Sequence, residues 1–306
     1  MDSISFTSPI RPLEALATGA KGTLAIIVGV DGPSYRPLGA MMAILDHRKR
    51  VGSLSSGCVE SDIALHGEEA RDMQSPRQIR YGRGSPFKDI QLPCGGGLDI
   101  LLMPEPDASV MKEVMVRHAN RTPCTLIADP ATGMFSVAET GETGWNDDRF
   151  HIRIEPEIAF LIFGKGPEAS TFAALVQSAG YPNTVLSPDK ETLRSAEWEG
   201  SATRHLKDAH VPTDLRIDNR TAVVLFFHDH DWEPPILSAV LDSDAFYIGA
   251  QGSKRARQTR EMELTAIGVG KEKIARMRGP IGLVPSARDA RTLAVSVLAE
   301  VLATQT

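Results

Sequence analysis

The sequence predicts an α/β protein in which an N-terminal α+β domain precedes a parallel α/β domain. From Ile158 onward, apolar runs of strand length alternate with helical stretches, as in a parallel sheet that helices cover on both faces. The first half instead contains short strands joined by turns, with few helices. A polar, turn-rich stretch at residues 141–148 and Pro156 separate the two patterns, so we expect domains at residues 1–155 and 156–306.

Composition narrows the class of protein. A chain of 306 residues is long enough for two domains with their own cores. The net charge of -6 argues against a nucleic-acid surface, and no apolar run reaches the roughly 20 residues that cross a bilayer. The absence of a secretion signal and an odd count of 3 cysteines favour a reducing, cytoplasmic location. We therefore expect no nucleic-acid partner and no membrane association.

The elements of the first half follow from apolar runs and turn residues. The β-branched run 23–30 predicts a strand that ends at the turn Asp31-Gly32-Pro33. A charged hairpin tip is expected at residues 46–50, after a second strand. The other expected strands lie at residues 39–45, 97–103, 125–128 and 134–137, and the expected helices at residues 58–73 and 110–119.

The second half alternates regularly between the two element types. Alternation of this kind indicates a mostly parallel sheet that helices cover on both faces. The expected strands lie at residues 158–163, 184–186, 221–227 and 245–248, and the expected helices at residues 167–179, 234–241, 253–267 and 288–303.

A glycine turn opens the second domain. Gly164 and Gly166 follow a buried-type strand and precede a helix in the pattern G-x-G-x-x-A, which is typical of a Rossmann-like, dinucleotide-binding turn. The acid that binds the ribose is expected at the end of the next strand, but Ser187 stands there, and Pro167 removes one backbone donor. We therefore expect NAD(P) to bind weakly or not at all. The alternative is that the glycines merely permit the turn.

Two further loops of the second domain carry polar residues at predicted strand ends. His228-Asp-His-Asp follows the strand at 221–227, and we interpret it as a polar loop with one functional histidine, His228, rather than a metal site. Gly249-Ala-Gln-Gly-Ser253-Lys is a second glycine turn before a helix. It is either an anion nest or a simple strand-to-helix turn.

The first domain holds the densest chemistry. Arg36 lies in the rigid turn Gly32-Pro-Ser-Tyr-Arg-Pro37-Leu-Gly39, which suits bidentate capture of a phosphate. Cys58 follows Gly57 at a predicted helix N-terminus, where the helix dipole favours a thiolate.

Cys94 lies beside Gly95 and Gly96, where the backbone can approach a ligand. Either of the two loop cysteines can instead be a small buried hydrophobe, as we expect for Cys124. Thirty-six positions separate Cys58 from Cys94, and neither a third loop cysteine nor a histidine pair completes a tetrahedral set. We expect no free metal ion, although soft sulfur suits molybdenum, iron or copper chemistry.

These segments together resemble the XdhC/CoxI family, the accessory proteins of xanthine and carbon monoxide dehydrogenases. The resemblance runs over residues 23–104 and 158–300. It departs at Tyr35, Ser56 and Pro167, and at Glu233, where the family usually has aspartate. The matching motifs are Gly32-Pro-Ser-Tyr-Arg36-Pro37-Leu-Gly39-Ala40, Gly52-Ser-Leu-Ser-Ser-Gly57-Cys58-Val59-Glu60, Cys94-Gly95-Gly96, the turn at Gly164, His228-Asp229, Tyr247-Ile-Gly249, Gly252-Ser253, Pro280-Ile-Gly282-Leu283 and Ala294-Val-Ser296-Val-Leu-Ala-Glu300.

The resemblance implies a carrier without turnover of its own. Such proteins bind the molybdenum cofactor transiently, promote its sulfuration with a cysteine desulfurase, and deliver it to the apo form of a xanthine-dehydrogenase-type molybdoenzyme. Arg36 would hold the phosphate of the molybdopterin, and Cys58 or Cys94 the metal or its terminal sulfur, with His228 facing them across the domain boundary. The candidate cofactor-binding residues are Arg36, Pro37, Gly39, Gly57, Cys58, Glu60, Cys94, Gly95, Gly96, Gly164, Gly166, His228, Gly249 and Ser253.

Two other functions stay open from the sequence. The Rossmann-like half by itself is compatible with an NAD(P)-dependent oxidoreductase, and both domains together are compatible with an adaptor that docks a dehydrogenase and a desulfurase without binding a cofactor. A homodimer is also left open. Among the two loop cysteines, we expect Cys58 to matter more than Cys94, because it lies at the predicted helix N-terminus.

Overall fold

The computed structural model describes residues 8–55, 57, 59–85, 95–227 and 231–305. The chain divides into two compact units, Met1–Pro156 and Glu157–Thr306. Three of the predicted site residues, Cys58, Cys94 and His228, lie outside the described residues.

The N-terminal unit is built from antiparallel strands and helices. Its described elements, in chain order, are α1 (Arg11–Ala17), β1 (Gly22–Asp31), β2 (Met41–Leu45), β3 (Arg50–Gly52), α2 (Glu60–Asp72), β4 (Arg77–Gly82), β5 (Gly97–Pro104), α3 (Ala108–Ala119), β6 (Cys124–Asp129), β7 (Met134–Ala138), β8 (Gly144–Asn146) and β9 (Arg149–Ile154).

The strands of this unit form two antiparallel sheets in the part of the chain that the structure describes. The larger sheet has the order β3-β2-β1-β5-β4, and the smaller has the order β7-β6-β9-β8. Alternate residues of β1 point to two separate cores. Leu24 and Ile26 pack with α1, α3 and the smaller sheet, whereas Ala25 and Ile27 pack against α2. The larger sheet is therefore buried on both faces, which explains the nearly continuous apolar sequence of β1.

The C-terminal unit alternates strands and helices. Its described elements are β10 (Ala159–Gly164), α4 (Pro167–Ser178), β11 (Asn183–Ser187), α5 (Lys190–Trp198), β12 (Ala202–His205), β13 (Thr221–Phe226), α6 (Glu233–Leu241), β14 (Tyr247–Ala250), α7 (Lys254–Ala266), α8 (Lys271–Ala275), β15 (Met277–Arg278) and α9 (Ala290–Ala303).

The strands of the C-terminal unit form one parallel sheet with the order β12-β11-β10-β13-β14-β15. One core lies between this sheet and α4, α5 and α9, and the other lies between it and α6, α7 and α8. The predicted fold class, an N-terminal α+β domain followed by a Rossmann-like parallel α/β domain, is confirmed. Side-chain caps from Asp189, Ser253 and Asp289 begin three of the helices.

Several elements differ from those that the sequence predicts. Strand β9 and helix α5 were not predicted, although both carry a local signal: polar and apolar residues alternate along β9, and α5 follows the capping residue Asp189 with one buried face. The strand predicted at residues 245–248 instead spans Tyr247–Ala250, because its parallel pairing with β13 begins at Tyr247. Gly249 therefore lies inside a strand and not in the turn. Within the described residues, no helix is long and apolar enough to cross a membrane.

Candidate functional site in the N-terminal unit

Three loops of the N-terminal unit leave from the same end of its larger sheet. Strand β1 ends at Asp31, which pairs with Gly97 at the start of β5, and Gly82 at the end of β4 also pairs with Gly97. On the other side, Gly52 at the end of β3 pairs with Met42 near the start of β2. The described ends of the loops at residues 32–40, 53–59 and 83–96, which carry the three predicted motifs of this domain, therefore lie at the same end of the sheet.

The first loop presents Arg36. The Ser34 hydroxyl donates to the Arg36 carbonyl at 2.7 Å, and the Arg36 amide donates to the Ser34 oxygen at 3.3 Å. Gly39 has a φ of 83° and donates its amide to the carbonyl of Ile27 at 2.9 Å, which closes the turn. The Arg36 side chain is exposed, and no described carboxylate forms an ion pair with it. The turn thus holds a guanidinium that is available to an anion.

The glycines after Cys94 pack against this turn. A Cβ on Gly96 would lie 2.4 Å from the carbonyl oxygen of Pro33 and 2.9 Å from that of Asp31. Glycine at position 96 is thus required by the close approach of two backbones. Gly95 has a φ of 69°, with nothing within 4 Å of its Cβ position. The structure therefore brings the Arg36 turn and the glycine run together, and contact of these glycines with a cofactor stays a prediction.

Arg80, which was not predicted from the sequence, links three segments at this end of the larger sheet. Its guanidinium donates to the Asp99 carboxylate at 2.7 Å and to Asp31 at 3.4 Å, and its Nε donates to the carbonyl of Arg83 at 2.7 Å. One side chain thus joins the end of β1, the start of β5 and the beginning of the loop that carries Cys94. The sequence gives no signal for Arg80, because the three partners are brought together only by strand pairing.

The described residues of the second loop, 53–55, 57 and 59, surround the carboxylate of Glu60. Its Oε1 accepts hydrogen bonds from the Ser53 hydroxyl at 2.8 Å, the Leu54 amide at 3.2 Å and the Ser55 amide at 2.8 Å. Its Oε2 accepts from the Ser55 hydroxyl at 2.7 Å and the Val59 amide at 3.2 Å. Glu60 is only 4% exposed. Both carboxylate oxygens are therefore occupied by the protein's own donors.

The protonation state of Glu60 follows from these bonds. Burial alone would raise the pKa of this carboxyl. The hydroxyl and amide of Ser55, with further donors that include the Gly57 amide, outweigh burial and lower the pKa to about 2. Glu60 is thus an anion at neutral pH, and Gly57, with a φ of 104°, supplies the turn that directs its amide inward.

In the C-terminal unit, the backbone amide of the glycine turn already has a hydrogen-bond partner within the protein. The amide of Gly166 donates to the Thr192 hydroxyl oxygen at 2.8 Å, and that hydroxyl donates to Asp189 at 2.6 Å. Thr192 thereby takes the donor that would face a pyrophosphate. A Cβ on Gly164 would lie 2.6 Å from the carbonyl oxygen of Phe226, so close strand packing requires this glycine. These residues fit a nicotinamide dinucleotide poorly.

The end of strand β11, where a dinucleotide-binding protein has its ribose-binding acid, also fits a nicotinamide dinucleotide poorly. Ser187 is fully buried, and its hydroxyl oxygen accepts the amide of Asp189 at 3.0 Å. The Asp189 carboxylate also accepts the amide of Thr192 at 2.8 Å, and its bonds to Thr192 lower its pKa. Asp189, the first acidic residue after this strand, therefore caps helix α5.

The predicted turn at Gly249 has two structural explanations. A Cβ on Gly249 would lie 2.6 Å from the Tyr247 ring and 2.7 Å from Ile281, so packing requires glycine there. The Ser253 hydroxyl oxygen accepts the amide of Ala256 at 3.2 Å and caps α7. Both residues thus have roles in the fold, which favours the structural explanation of this segment over an anion nest.

The loop that carries His228 is fixed at its described ends. The rings of Phe227 and Trp232 stack with centroids 6.0 Å apart. Glu233, 1% exposed, forms a two-pronged ion pair with Arg260 at 2.7 and 2.9 Å. This pair joins the start of α6 to α7.

The last cysteine belongs to the core. Cys124 is a free thiol with no exposed surface, and burial raises its pKa. The prediction that Cys124 is structural is confirmed. Within the described ranges, no group of three or more His, Cys, Asp or Glu side chains is placed to hold a metal ion.

Comparisons with protein families and known proteins agree with one another. A family model described as the XdhC and CoxI family matches residues 15–82, and one described as the XdhC Rossmann domain matches residues 160–301. The chain is 36% identical over 290 residues to the molybdenum cofactor insertion chaperone PaoD of Escherichia coli strain K12, a match that covers 94% of this chain and 85% of that protein.

Two more distant relatives extend this result. A protein of Bacillus subtilis strain 168, described as a probable xanthine dehydrogenase subunit, is 24% identical over 326 residues, which covers 93% of each protein. The crystal structure of a protein described as a xanthine dehydrogenase from Bacillus halodurans superposes with a TM-score of 0.80 at 22% identity, over 97% of this chain and 96% of that one. At this identity the latter match supports the fold class alone.

Proposed function

Because the chain belongs to the XdhC and CoxI family, we propose that it is a molybdenum cofactor insertion chaperone, which binds the cofactor as cargo and passes it to a molybdoenzyme. The observation that carries the proposal is that three loops leave the same end of the N-terminal sheet, one of which presents the exposed Arg36. The relative PaoD, which bears that function in its name, supports it.

The chemistry of these three loops suits this cargo. The cofactor supplies a phosphate, a flat pterin and a molybdenum centre with sulfur ligands. The guanidinium of Arg36 binds the phosphate as a charge-assisted pair. The bare backbone at Gly95 admits a ligand at close range, because no side chain lies there. Cys58 and Cys94 provide soft sulfur for the metal or its terminal sulfide.

The sequence of events that we propose has two protein partners. The chain holds the cofactor transiently while a cysteine desulfurase supplies sulfur, and then delivers it to the apo form of a xanthine-dehydrogenase-type enzyme in the cytoplasm. A cognate apo-enzyme should therefore gain more activity from the loaded chaperone plus desulfurase than from the loaded chaperone alone. Equal activation in the two reactions would restrict the role to insertion.

The decisive experiment is purification of the chain from a host that makes the cofactor, followed by measurement of molybdenum and pterin per chain. We expect both to copurify in similar amounts. Bound nicotinamide nucleotide in their place would favour an oxidoreductase, and a protein that carries neither would favour a docking adaptor. Light scattering on the same sample decides whether the chaperone is a homodimer.

The thiols are tested in the same assay. Cys58→Ala should lower molybdenum retention and fail to support activation of the apo-enzyme, while the protein stays folded. Cys94→Ala should have the smaller effect. Cys124→Ala is the matched control, because Cys124 lies in the core. Retention by Cys58→Ala at the level of the parent would make that thiol structural and leave Arg36 and Cys94 to hold the cargo.

A further inference from the structure

We propose that Glu60 is a positioning residue, whose carboxylate is the internal template for the described residues 53–55, 57 and 59, so that these residues are preformed before the cargo arrives. The inference rests on the proposed function for what the loop binds. It differs from the expectation that Glu60 itself contacts the cofactor, since both of its oxygens already accept bonds from the chain.

The donors that face Glu60 are all supplied by the loop that precedes it. Hydroxyl groups of Ser53 and Ser55 and amides of Leu54, Ser55 and Val59 converge on the two oxygens within 3.2 Å. Every one of these groups donates. A deprotonated carboxylate suits these donors, because it carries no proton and has about four lone-pair sites, and the Val59 amide is shared with the Ser55 hydroxyl oxygen. The residue type therefore fits the donors.

The position of Glu60 in helix α2 indicates the same role. Glu60 is the first residue of α2, where an acidic side chain ordinarily turns toward the free amides of its own helix. Here the side chain reaches backward, to residues as far as Ser53, seven positions earlier. Its bonds thus stabilise the loop, and the Ser55 hydroxyl reinforces them by also accepting the Val59 amide at 3.2 Å.

The arrangement has a consequence for the cargo. An amide that donates to Glu60 is not available to a phosphate, so the described amides that bond to Glu60 do not form an anion nest of the usual kind. The carboxylate of Glu60 accepts the amide hydrogen bonds that a bound anion would otherwise accept. The exposed Arg36 is left to bind the anionic group of the cargo. Gly57 and Val59, the two covalent neighbours of Cys58, are both held by Glu60. The carboxylate thereby fixes the chain on both sides of that cysteine.

The test uses Glu60→Gln in the full chain, with Glu68→Gln as the matched control. Glu68 lies on the same helix, but its pair with Arg48 at 2.5 Å is a surface contact. Glutamine keeps the shape of Glu60 but replaces one acceptor by an N–H2 group that opposes the loop donors. Amide hydrogen exchange of residues 53–59 should become faster by about tenfold or more in Glu60→Gln, and stay unchanged in Glu68→Gln.

The second readout separates positioning from general stability. Molybdenum and pterin retained per folded chain should fall by about tenfold in Glu60→Gln. Losses of this size are typical when a residue that orients the ligand-binding groups, without touching the ligand, is changed. Glu60→Asp keeps the anion on a shorter side chain and should restore part of the retention. If Glu60→Gln does not fold, Ser55→Ala removes a single donor and should raise exchange in the same loop.

Each result decides a separate claim. Faster loop exchange with undiminished retention would overturn the positioning role, and so would exchange that does not change at all. A wild-type chain without molybdenum and pterin would overturn the proposed function and, with it, the role of the loop in cargo binding. In that case the exchange data would still report whether Glu60 folds the loop.

Discussion

The Glu60 loop of the N-terminal unit and the Gly166 turn of the C-terminal unit are both glycine loops that lead from a strand to a helix. Both satisfy their amides internally, the first through the carboxylate of Glu60 and the second through the hydroxyl of Thr192. The difference lies in what surrounds them. The first loop emerges beside two others and an exposed arginine, whereas the second is closed by Thr192 and Asp189. A glycine motif therefore shows where a ligand could approach the backbone. The neighbouring side chains determine whether the backbone amides there are available to that ligand.

The two units also use buried charge differently. Glu60 is surrounded by neutral donors from its own loop, whereas Glu233 is paired with the guanidinium of Arg260 from another helix. The first arrangement shapes a loop that we assign to cargo binding. The second joins helices α6 and α7, which pack on the same face of the parallel sheet. We therefore expect substitutions in the N-terminal unit to change retention of the cofactor, and those in the C-terminal unit to change stability.

The largest effect on stability should come from Arg260→Met. Removal of the guanidinium leaves a carboxylate that is only 1% exposed without its cation, which costs about 3–5 kcal/mol. Urea unfolding followed by circular dichroism measures the loss. Lys273→Met is the control, because Lys273 and Asp242 form an exposed pair at 2.6 Å that should contribute about 0–1 kcal/mol. Comparable losses in the two variants would mean that the buried pair has no special role.

The largest effect on cargo retention should come from Arg36→Ala. A charge-assisted hydrogen bond contributes about 1.5–3 kcal/mol, so molybdenum and pterin per chain should fall by about tenfold or more, with unfolding unchanged. Arg255→Ala removes an equally exposed arginine from the C-terminal unit and should retain both. If Arg255→Ala loses cargo and Arg36→Ala does not, the assignment of the site to the N-terminal unit is wrong.

The sequence predicted the fold class and the positions of the chemically distinctive loops, because glycine, proline and apolar runs act locally. It did not predict what occupies those loops. Thr192 reaches Gly166 across 26 positions, and Arg80 reaches Asp99 across 19, so only the strand pairing reveals these contacts. Glu60 had a usable local signal: Ser53 and Ser55 place short donors five to seven residues before an acid at a helix start. That pattern predicts a carboxylate that turns inward.

A smaller effect is expected from Thr192→Val, which keeps the side-chain shape but removes the acceptor of the Gly166 amide. An unsatisfied amide costs about 1–3 kcal/mol where it is shielded from water, so stability should fall within or below that range. Thr265→Val, at an exposed position of α7, is the control. In titration calorimetry neither the wild type nor Thr192→Val should bind NAD or NADP at micromolar concentration, since Pro167 and Ser187 remain. Micromolar binding by the wild type would instead support the oxidoreductase alternative.

The smallest effect should come from Ser253→Ala. Ser253 and Gly249 are the two candidate cofactor-binding residues of the segment 249–254, and only Ser253 has a polar side chain, so this variant separates capping from cofactor binding. The hydroxyl oxygen of Ser253 accepts the Ala256 amide at 3.2 Å, so its loss should cost about 1 kcal/mol of stability. Ser253→Asp keeps a capping oxygen and should recover most of this loss. Because the cap fully explains the serine, molybdenum and pterin per chain should be the same in the wild type and both variants. If Ser253→Ala loses cofactor while Ser253→Asp is as stable as the wild type, the C-terminal unit takes part in binding the cargo, and the contrast between the two units has to be redrawn.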